Sequence, residues 1–400
     1  MILDPGDVCE PAMPVPGSSA DNPLRIMALL NSRAVGDTIF YQVFAGSVKR
    51  LFDHANLFVF MRKDRNYKID LMKMNPEFDL GVLFDESQES VSIDNFQITH
   101  DITAINSEMP EYITNYKPWK KYDLGRQQLI LSPSGMPEEM LSAFDDPATL
   151  RIPRDQNERL AKELRDHGVD DKSWFCVLNY REPGYQHRPS RPIKDQIPEY
   201  YQKLTEFIID ELGGQVVRVG HPSMTPFPSK KGFVDLAMLN DRFMLHAFAV
   251  TRARFLVASL SGIGHLGSAV GTPTLMTNCV SHPCSAGVWR DQDMALYLTM
   301  YTATGKLLST AEQHDLGVFA SQDIVRLAKD EGYQFIRNTP EEMAEAVKLM
   351  MDSTQDCQTW REPKSPEQTR RRPNRYEFPM SPRRRNRIVE FPELTRKLIA

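Results

Sequence analysis

The sequence predicts an α/β fold on three observations. Apolar runs of strand length alternate with amphipathic helical stretches. The alternation occurs as two consecutive series with a break near 150–170. At 400 residues, the chain is longer than one simple core usually supports. Strands separated by helices form parallel βαβ units, so the expected architecture is two Rossmann-like domains facing a cleft. Ligands of such sheets lie beyond the carboxyl ends of the strands. That rule directs attention to the loops 31–37, 181–195, 220–233 and 260–265.

Each element carries its own signal. Residues 1–22 are rich in Pro, Gly, Ser and acid and read as a disordered tail. Leu24–Leu30 is a continuous apolar run, hence a buried strand. From about Thr38 to Phe52, Ile39, Val43 and Ser47 share one helical line, with Phe40, Phe44, Val48 and Leu51 beside it. Asn56–Met61 and Asp79–Asp85 read as strands with a short helix, YKIDLMKM, between them. The stretch 86–150 has no clear period but contains the aromatic and basic segment YKPWKKY. The second series opens with a polar helix, Gln156–His167, then strand Trp174–Tyr180 and a long polar loop, REPGYQHRPSRPIKD. IPEYYQKLTEFIIDEL is an amphipathic helix with Pro198 in its first turn. QVVRVG is a strand ending at Gly220, and a helix near Arg242–Thr251 leads to strand FLVAS. PTLMTN and YQFIRN are further strands. Thr339, Pro340 and Glu342 form a capping box with proline at the first helical position.

Composition narrows the class. With 41% apolar and 25% charged residues, the chain reads as soluble and globular. No apolar run reaches transmembrane length, and the N-terminus lacks the basic start and apolar core of a signal peptide. Five scattered cysteines have no paired metal-ligand spacing and read as reduced thiols. A cytoplasmic protein is expected. Charge is unevenly spread: residues 361–400 hold 12 Lys+Arg and 5 Asp+Glu, whereas the rest holds 36 and 48. The basic tail reads as solvated rather than as a nucleic-acid module, since it lacks the fold signals of one. A peripheral contact with an anionic membrane surface stays open for it.

The most informative stretch is SLSGIGHLGSAVGTPTLMTN, Ser259 to Asn278. A strand ends at Ser259, the chain turns at Ser261 and Gly262, and a helix begins by about Gly264. The first helical amides, from Gly262 through Ile263 and Gly264 to His265, have no partner within the helix and carry its positive end. Gly262 and Gly264 lack a Cβ, so a ligand can approach the backbone. Ser259 and Ser261 add hydroxyls. Such a turn holds a diphosphate. The alternative is that the glycines only permit tight helix–strand packing, and spacing alone leaves both open.

SGIGHLGSAVGTPT resembles the C-terminal-domain motif of heptosyltransferase-type glycosyltransferases, which reads close to T-G-P-M-H-L-A-A-A-L-G-T-P-T. Ser261, Gly262, His265, Leu266, Ala269, Gly271, Thr272 and Pro273 fall in register. The N-terminal RIMALLNSRAVGDTIFYQVFAGSVKRLFDHANLFVFM is similar to the family's opening strand, Gly-Asp loop, helix and second strand, and MNPEFDLGVLFD to its later Asn-Pro and strand. Residues 155–320, with REPGY, VVRVG, VDLA and the Ser-Gly loop, also resemble an uncharacterised group of glycosyltransferase-like proteins of bacterial polysaccharide gene clusters. The resemblance implies a GT-B fold and an inverting, metal-independent glycosyltransferase without a cofactor. Its donor is a nucleotide-diphosphate sugar. Its acceptor is a glycan, a lipid-linked glycan or another hydroxyl. Asp37 matches the family's general base, and Arg181 the donor-binding arginine of fucosyltransferases with this architecture.

Expelling a nucleoside diphosphate needs its charge met, by helix amides and cations such as Arg181, Arg188 or Arg191. The acceptor hydroxyl needs a base, for which Asp37 at a strand end is suited. Each residue has a plainer role beside this one. Asp37 suits a helix N-cap before Thr38, Arg181 an ion pair with Glu182 or a neighbour, and His265 a core histidine. Gly220 and His221 are candidates to line the base or ribose, Asp235 to order the loop or touch the ligand, and Asn278 is a weaker candidate. The expected domains are a tail at 1–22, an acceptor domain at 23–154, a donor domain at 155–352, and a basic tail at 353–400 with the option of crossing back to the first domain. The rivals are a sugar-nucleotide epimerase of the same fold and a non-catalytic protein binding through its basic tail.

Overall fold

The computed structural model describes residues 19–21, 23–30, 34–49, 54–62, 66–84, 119–123, 128–131, 150–187, 189–191, 194–280, 292–316, 321–362 and 388–389. Most of the expected N-terminal tail, most of 86–150, Arg188 and the Arg-rich stretch 363–387 lie outside the described residues. The chain divides after Arg151 into two compact units.

The first unit contains β1 (Leu24–Leu30), α1 (Val35–Lys49), β2 (Ala55–Arg62), α2 (Tyr67–Met74), β3 (Leu80–Phe84), β4 (Trp119–Asp123) and β5 (Gln128–Leu131). Its sheet runs β3-β2-β1-β5-β4, parallel throughout except where β4 meets β5. Ile26, Ala28, Leu57 and Val59 are buried at alternate positions, with Ile39 and Val43 of α1 and Leu71 and Met74 of α2 also buried. Helix α1 starts three residues before the expected Thr38. The reason is local: the Ala34 carbonyl accepts from both the Thr38 amide, at 3.0 Å, and the Thr38 hydroxyl, at 2.9 Å. Lys49 in the last turn reaches the Asp79 carboxylate at 2.8 Å, and the same oxygen accepts the Leu57 amide at 2.6 Å. Part of YKPWKKY, without a legible period, is strand β4.

The second unit begins with α3 (Asn157–Asp166), β6 (Phe175–Asn179), α4 (Pro198–Asp210), β7 (Gln215–Arg218), β8 (Phe233–Asp235) and α5 (Phe243–Arg252). Then come β9 (Phe255–Ser259), α6 (Gly262–Val270), β10 (Thr274–Cys279), β11 (Met294–Tyr297) and β12 (Thr299–Tyr301). The last elements are α7 (Thr310–Asp315), α8 (Ser321–Lys329), β13 (Gln334–Ile336), α9 (Pro340–Ser353) and β14 (Ile388–Val389). The main sheet is parallel, in the order β14-β11-β10-β9-β6-β7-β8. β13 is the expected strand within YQFIRN, and it pairs antiparallel with β12 outside this sheet. β14 places Ile388 and Val389 on the edge of the second unit's sheet, beside β11.

Two layers cover the central strands. Tyr201, Leu204 and Ile208 of α4 join Met343, Val347 and Met350 of α9 in one core with Cys176, Leu178, Val257 and Leu275. Helix α6 packs on the opposite face, where side chains alternate to Leu256, Ala258 and Met276. Trp360 seals the amino-terminal end of β6: its indole donates to the Asp170 carbonyl at 3.0 Å and meets the rings of Phe175 and Phe248 edge-on. Among the described residues, no helix is long and apolar enough to cross a membrane.

Candidate functional site

Strand order locates the site. From β6 the chain proceeds outward through β7 and β8, then returns to lay β9 on the other side of β6 and proceeds the opposite way through β10 and β11. β6 and β9 therefore flank a topological switch point, where the loops leaving their carboxyl ends diverge and leave a crevice. The loop after β6 begins with Tyr180 and Arg181, and the loop after β9 is Leu260-Ser261 leading into α6.

These loops are laced together. Asn179 donates its amide to the Val219 carbonyl at 2.8 Å and accepts the Ser261 hydroxyl at 2.6 Å. The Arg181 backbone amide donates to Ser259 Oγ at 3.1 Å. Ser261 has the extended backbone of an N-cap (φ −141°, ψ 163°), yet its side chain does not cap α6. Its hydroxyl is spent on Asn179, so the amides of Gly262 and Ile263 meet no capping oxygen from it. A helix start of this kind carries partial positive charge into the crevice.

Arg181 brings a guanidinium to the loop after β6, already paired. Its ion pair is with a neighbour, Asp195, not with the adjacent Glu182: Arg181 Nε lies 2.5 Å from Asp195 Oδ1, and Nη2 donates to the Pro189 carbonyl at 3.0 Å. Asp195 is buried, and its second oxygen accepts the Ser190 hydroxyl at 2.7 Å and the Arg191 amide at 2.6 Å. The Gln196 amide closes the loop on the Arg181 carbonyl at 2.7 Å. Glu182 is also buried and holds the next loop, accepting the amide and hydroxyl of Thr225 at 2.5 and 2.9 Å. Beneath lies Arg218, fully buried, in a forked pair with Asp235 and donating to the Tyr180 hydroxyl at 3.1 Å. Burial pushes the Tyr180 phenol far above its ordinary range, so it stays neutral. Asp235 thus orders the loop.

The other expected residues divide into two groups. Ser259, Ser261, Gly262, Ile263 and Arg181 meet at the switch point. Gly264 and His265 follow on α6 but face inward. A Cβ on Gly264 would lie 2.4 Å from Met276 Sδ, so this glycine serves helix–sheet packing rather than ligand approach. His265 is buried, and loss of solvation, helped by Lys194, pushes its pKa down to about 3. It brings no positive charge to the crevice at neutral pH. Gly220 is packed likewise, since a Cβ there would meet Met224 Sδ at 2.3 Å. His221, after β7, stands in ring contact with Tyr185 and His187. Asn278 exchanges backbone-to-side-chain hydrogen bonds with Asn338 at 2.6 and 2.7 Å, which secures its left-handed φ of 53°. Asp37 belongs to the first unit, exposed in the first turn of α1. It is inside the helix and therefore not an N-cap before Thr38.

Sequence reasoning missed Asn179 and Asp195. Asn179 closes an apolar strand and Asp195 ends a polar loop, and only their partners mark them. Among the described residues, no group of three or more His, Cys, Asp or Glu side chains is placed to hold a metal ion.

No family model matches the chain, and no curated protein matches it. Solved structures do. The crystal structure of the glycosyl transferase family 9 protein from Veillonella parvula is similar with a TM-score of 0.51 and 14% identity, over 85% of this chain and 99% of that one. That likeness establishes the mixed α/β fold of a glycosyltransferase. The Escherichia coli ADP-heptose lps heptosyltransferase II is similar at a TM-score of 0.48 and 13% identity, over 83% of this chain and 99% of that one. An E. coli heptosyltransferase solved with ADP is similar at 0.38 and 10%, over 77% and 100%.

Proposed function

We propose that this chain is an inverting glycosyltransferase that moves a sugar from a nucleoside-diphosphate sugar to a hydroxyl of a glycan, without a metal ion. One observation carries the reading: α6 begins at the switch point with its capping hydroxyl turned away to Asn179. A ligand phosphate is the natural occupant of such a helix start. The leaving diphosphate gains charge as the glycosidic bond breaks, and groups aimed at that charge in advance lower the barrier. The amides of Gly262 and Ile263 and the Arg181 guanidinium, set by Asp195, fill this role. Asp37 of the first unit is the base that takes the acceptor proton. The two units are then the acceptor and donor domains of a GT-B enzyme.

The test is a thermal-shift screen of UDP-, GDP-, ADP-, CMP- and dTDP-sugars. A native-state ligand raises the melting point with concentration. One of them is expected to do so, and Arg181→Ala is expected to weaken its binding by about 10- to 100-fold in titration calorimetry. No shift with any of them, or unchanged titration of the variant, removes the assignment.

A further inference from the structure

The small sheet of β12 and β13 stands apart from the main sheet and supplies none of the groups assigned to the transfer. It nevertheless backs both loops of the switch point. Leu260, between Ser259 and Ser261, packs on the core of this layer, whose buried members include Leu298, Met300 and Leu327. Just after β13, Arg337 Nε donates to the backbone carbonyl of Asp195 at 2.9 Å. Asp195 is the residue whose carboxylate holds Arg181. A chain of two contacts therefore leads from the small sheet to the guanidinium of the anion site.

The end of the chain at Arg337 is firmly set. Asn338, the next residue, is buried and donates its side-chain amide to the Tyr297 carbonyl at 2.8 Å. It also exchanges two hydrogen bonds with Asn278, near the end of β10. Thr339 then caps α9. At the other end, loop 181–196 is held in two different ways. Its first half is tied to the loop after β7, where the Gln186 amide donates to Ser223 Oγ at 2.7 Å and Glu182 accepts from Thr225. Its second half folds on itself. The Lys194 and Asp195 amides both donate to the Arg191 carbonyl at 2.8 Å, and the Asp195 carboxylate takes Ser190 and Arg191. A surface turn closed on its own groups still moves as a body, and a bond from another layer fixes where it stands. Arg337 supplies such a bond to the Asp195 backbone.

We propose that Arg337 is a positioning residue for Arg181. By pinning the Asp195 backbone to the β12–β13 layer, it sets the Asp195 carboxylate, and through that carboxylate the Arg181 guanidinium, for the diphosphate. Arginine carries large rotamer freedom, and freedom removed before a ligand arrives is not lost again on binding. The proposal rests on the diphosphate reading of the α6 start and names what aims its cation.

The experiment is a double-mutant cycle on the whole chain. ADP, GDP, UDP, CDP, dTDP and inorganic pyrophosphate are titrated into the wild type, Arg337→Ala, Arg337→Met, Arg181→Ala and the two double variants that combine them. Arg337→Met keeps the apolar stem and removes only the donor, so it serves where Arg337→Ala does not fold. Each Arg337 variant is expected to weaken the ligands that the wild type binds by about 10-fold. In the Arg181→Ala background the same substitutions should change nothing further, because the cation they misplace is gone. Losses that add in the double variants would show a charge acting on the ligand by itself, and would overturn the positioning role. So would unchanged affinity in Arg337→Met, whatever Arg337→Ala does. These results leave the diphosphate reading standing. A wild type that binds none of the six ligands, or an Arg181→Ala variant that binds them as well as the wild type, defeats that reading and the positioning role with it.

Discussion

Two helices of the second unit start differently, although both follow a hydroxyl residue in extended conformation. At α9, Thr339 Oγ1 accepts the Glu342 amide at 3.2 Å and Glu342 returns its carboxylate to the Thr339 amide at 2.9 Å. Pro340 at the first position has no N–H to satisfy. That helix start is satisfied internally and has nothing to offer a ligand. At α6, Ser261 occupies the same position but gives its hydroxyl to Asn179. The other end of α6 is closed as firmly as α9: Gly271, at φ 81°, donates back to Gly267 and Ser268, and Arg361 and Gln292 reach its carbonyl. Local capping rules describe the finished ends. Helices α3, α4 and α5 also start without a side-chain cap. What distinguishes α6 is that its uncapped start lies at the switch point, with a capping residue whose hydroxyl is turned to Asn179.

A third helix start offers the largest test. Asp37 lies exposed in the first turn of α1, where a carboxylate suits the helix dipole whether or not it is a base. Asp37→Asn is expected to lower turnover by about 10²- to 10⁴-fold in a transfer assay while donor titration stays unchanged. Near-normal turnover would reduce Asp37 to a dipole partner. Next, Ser261→Asp should cap α6 as α9 is capped, since aspartate is a strong N-cap. The melting point should fall modestly, because buried Asn179 Oδ1 loses its donor while the helix gains a cap. Donor affinity should fall about 100-fold as the new carboxylate repels the diphosphate. Retained affinity would mean that the α6 start is not where the anion sits.

Acid should act on the second unit's interior. Burial pushes His246 down to about 4 and His265 to about 3, from an ordinary value of 6.5. Between 6.5 and those values the unfolded chain binds protons that the folded one excludes. The stabilising difference is therefore whole above 6.5 and is lost as pH falls toward 3, at up to about 1.4 kcal/mol per pH unit for each ring. Urea midpoints measured from pH 7.5 to 4.5 should drop below 6.5, and His246→Gln should flatten the slope. A flat wild-type curve would show both rings solvated. The smallest effect belongs to the structural start: Thr339→Ala should cost about 1 kcal/mol of stability and leave donor affinity untouched. Lost affinity there would erase the contrast with α6.

Legibility in the sequence followed the range of the cause. Strands β1 and β9 are continuous apolar runs bounded by turn residues, and their limits match the structure. The Thr339 box is a four-residue pattern and was readable to the residue. β4 was obscured because charge and aromatics break its alternation. The Gly-rich turn was visible, but the division of labour among its glycines was not. Gly264 faces Met276 from a strand that follows it, and no spacing rule carries that information. Asp195 shows the same limit, since its importance comes from Arg181, 14 residues earlier.

The sequence alone determined the alternation of strands and helices that opens each unit, the cap at Thr339 and the presence of a tight, small-residue turn before α6. These depend on neighbours within a few positions, whose side-chain period and φ preference are local properties. Tertiary structure alone decided that β9 returns beside β6, that Ser261 abandons its own helix for Asn179, and that Arg181 is held by Asp195. Those outcomes depend on which distant backbone hydrogen-bonds with which, and a chain acquires such partners only when its sheets are assembled.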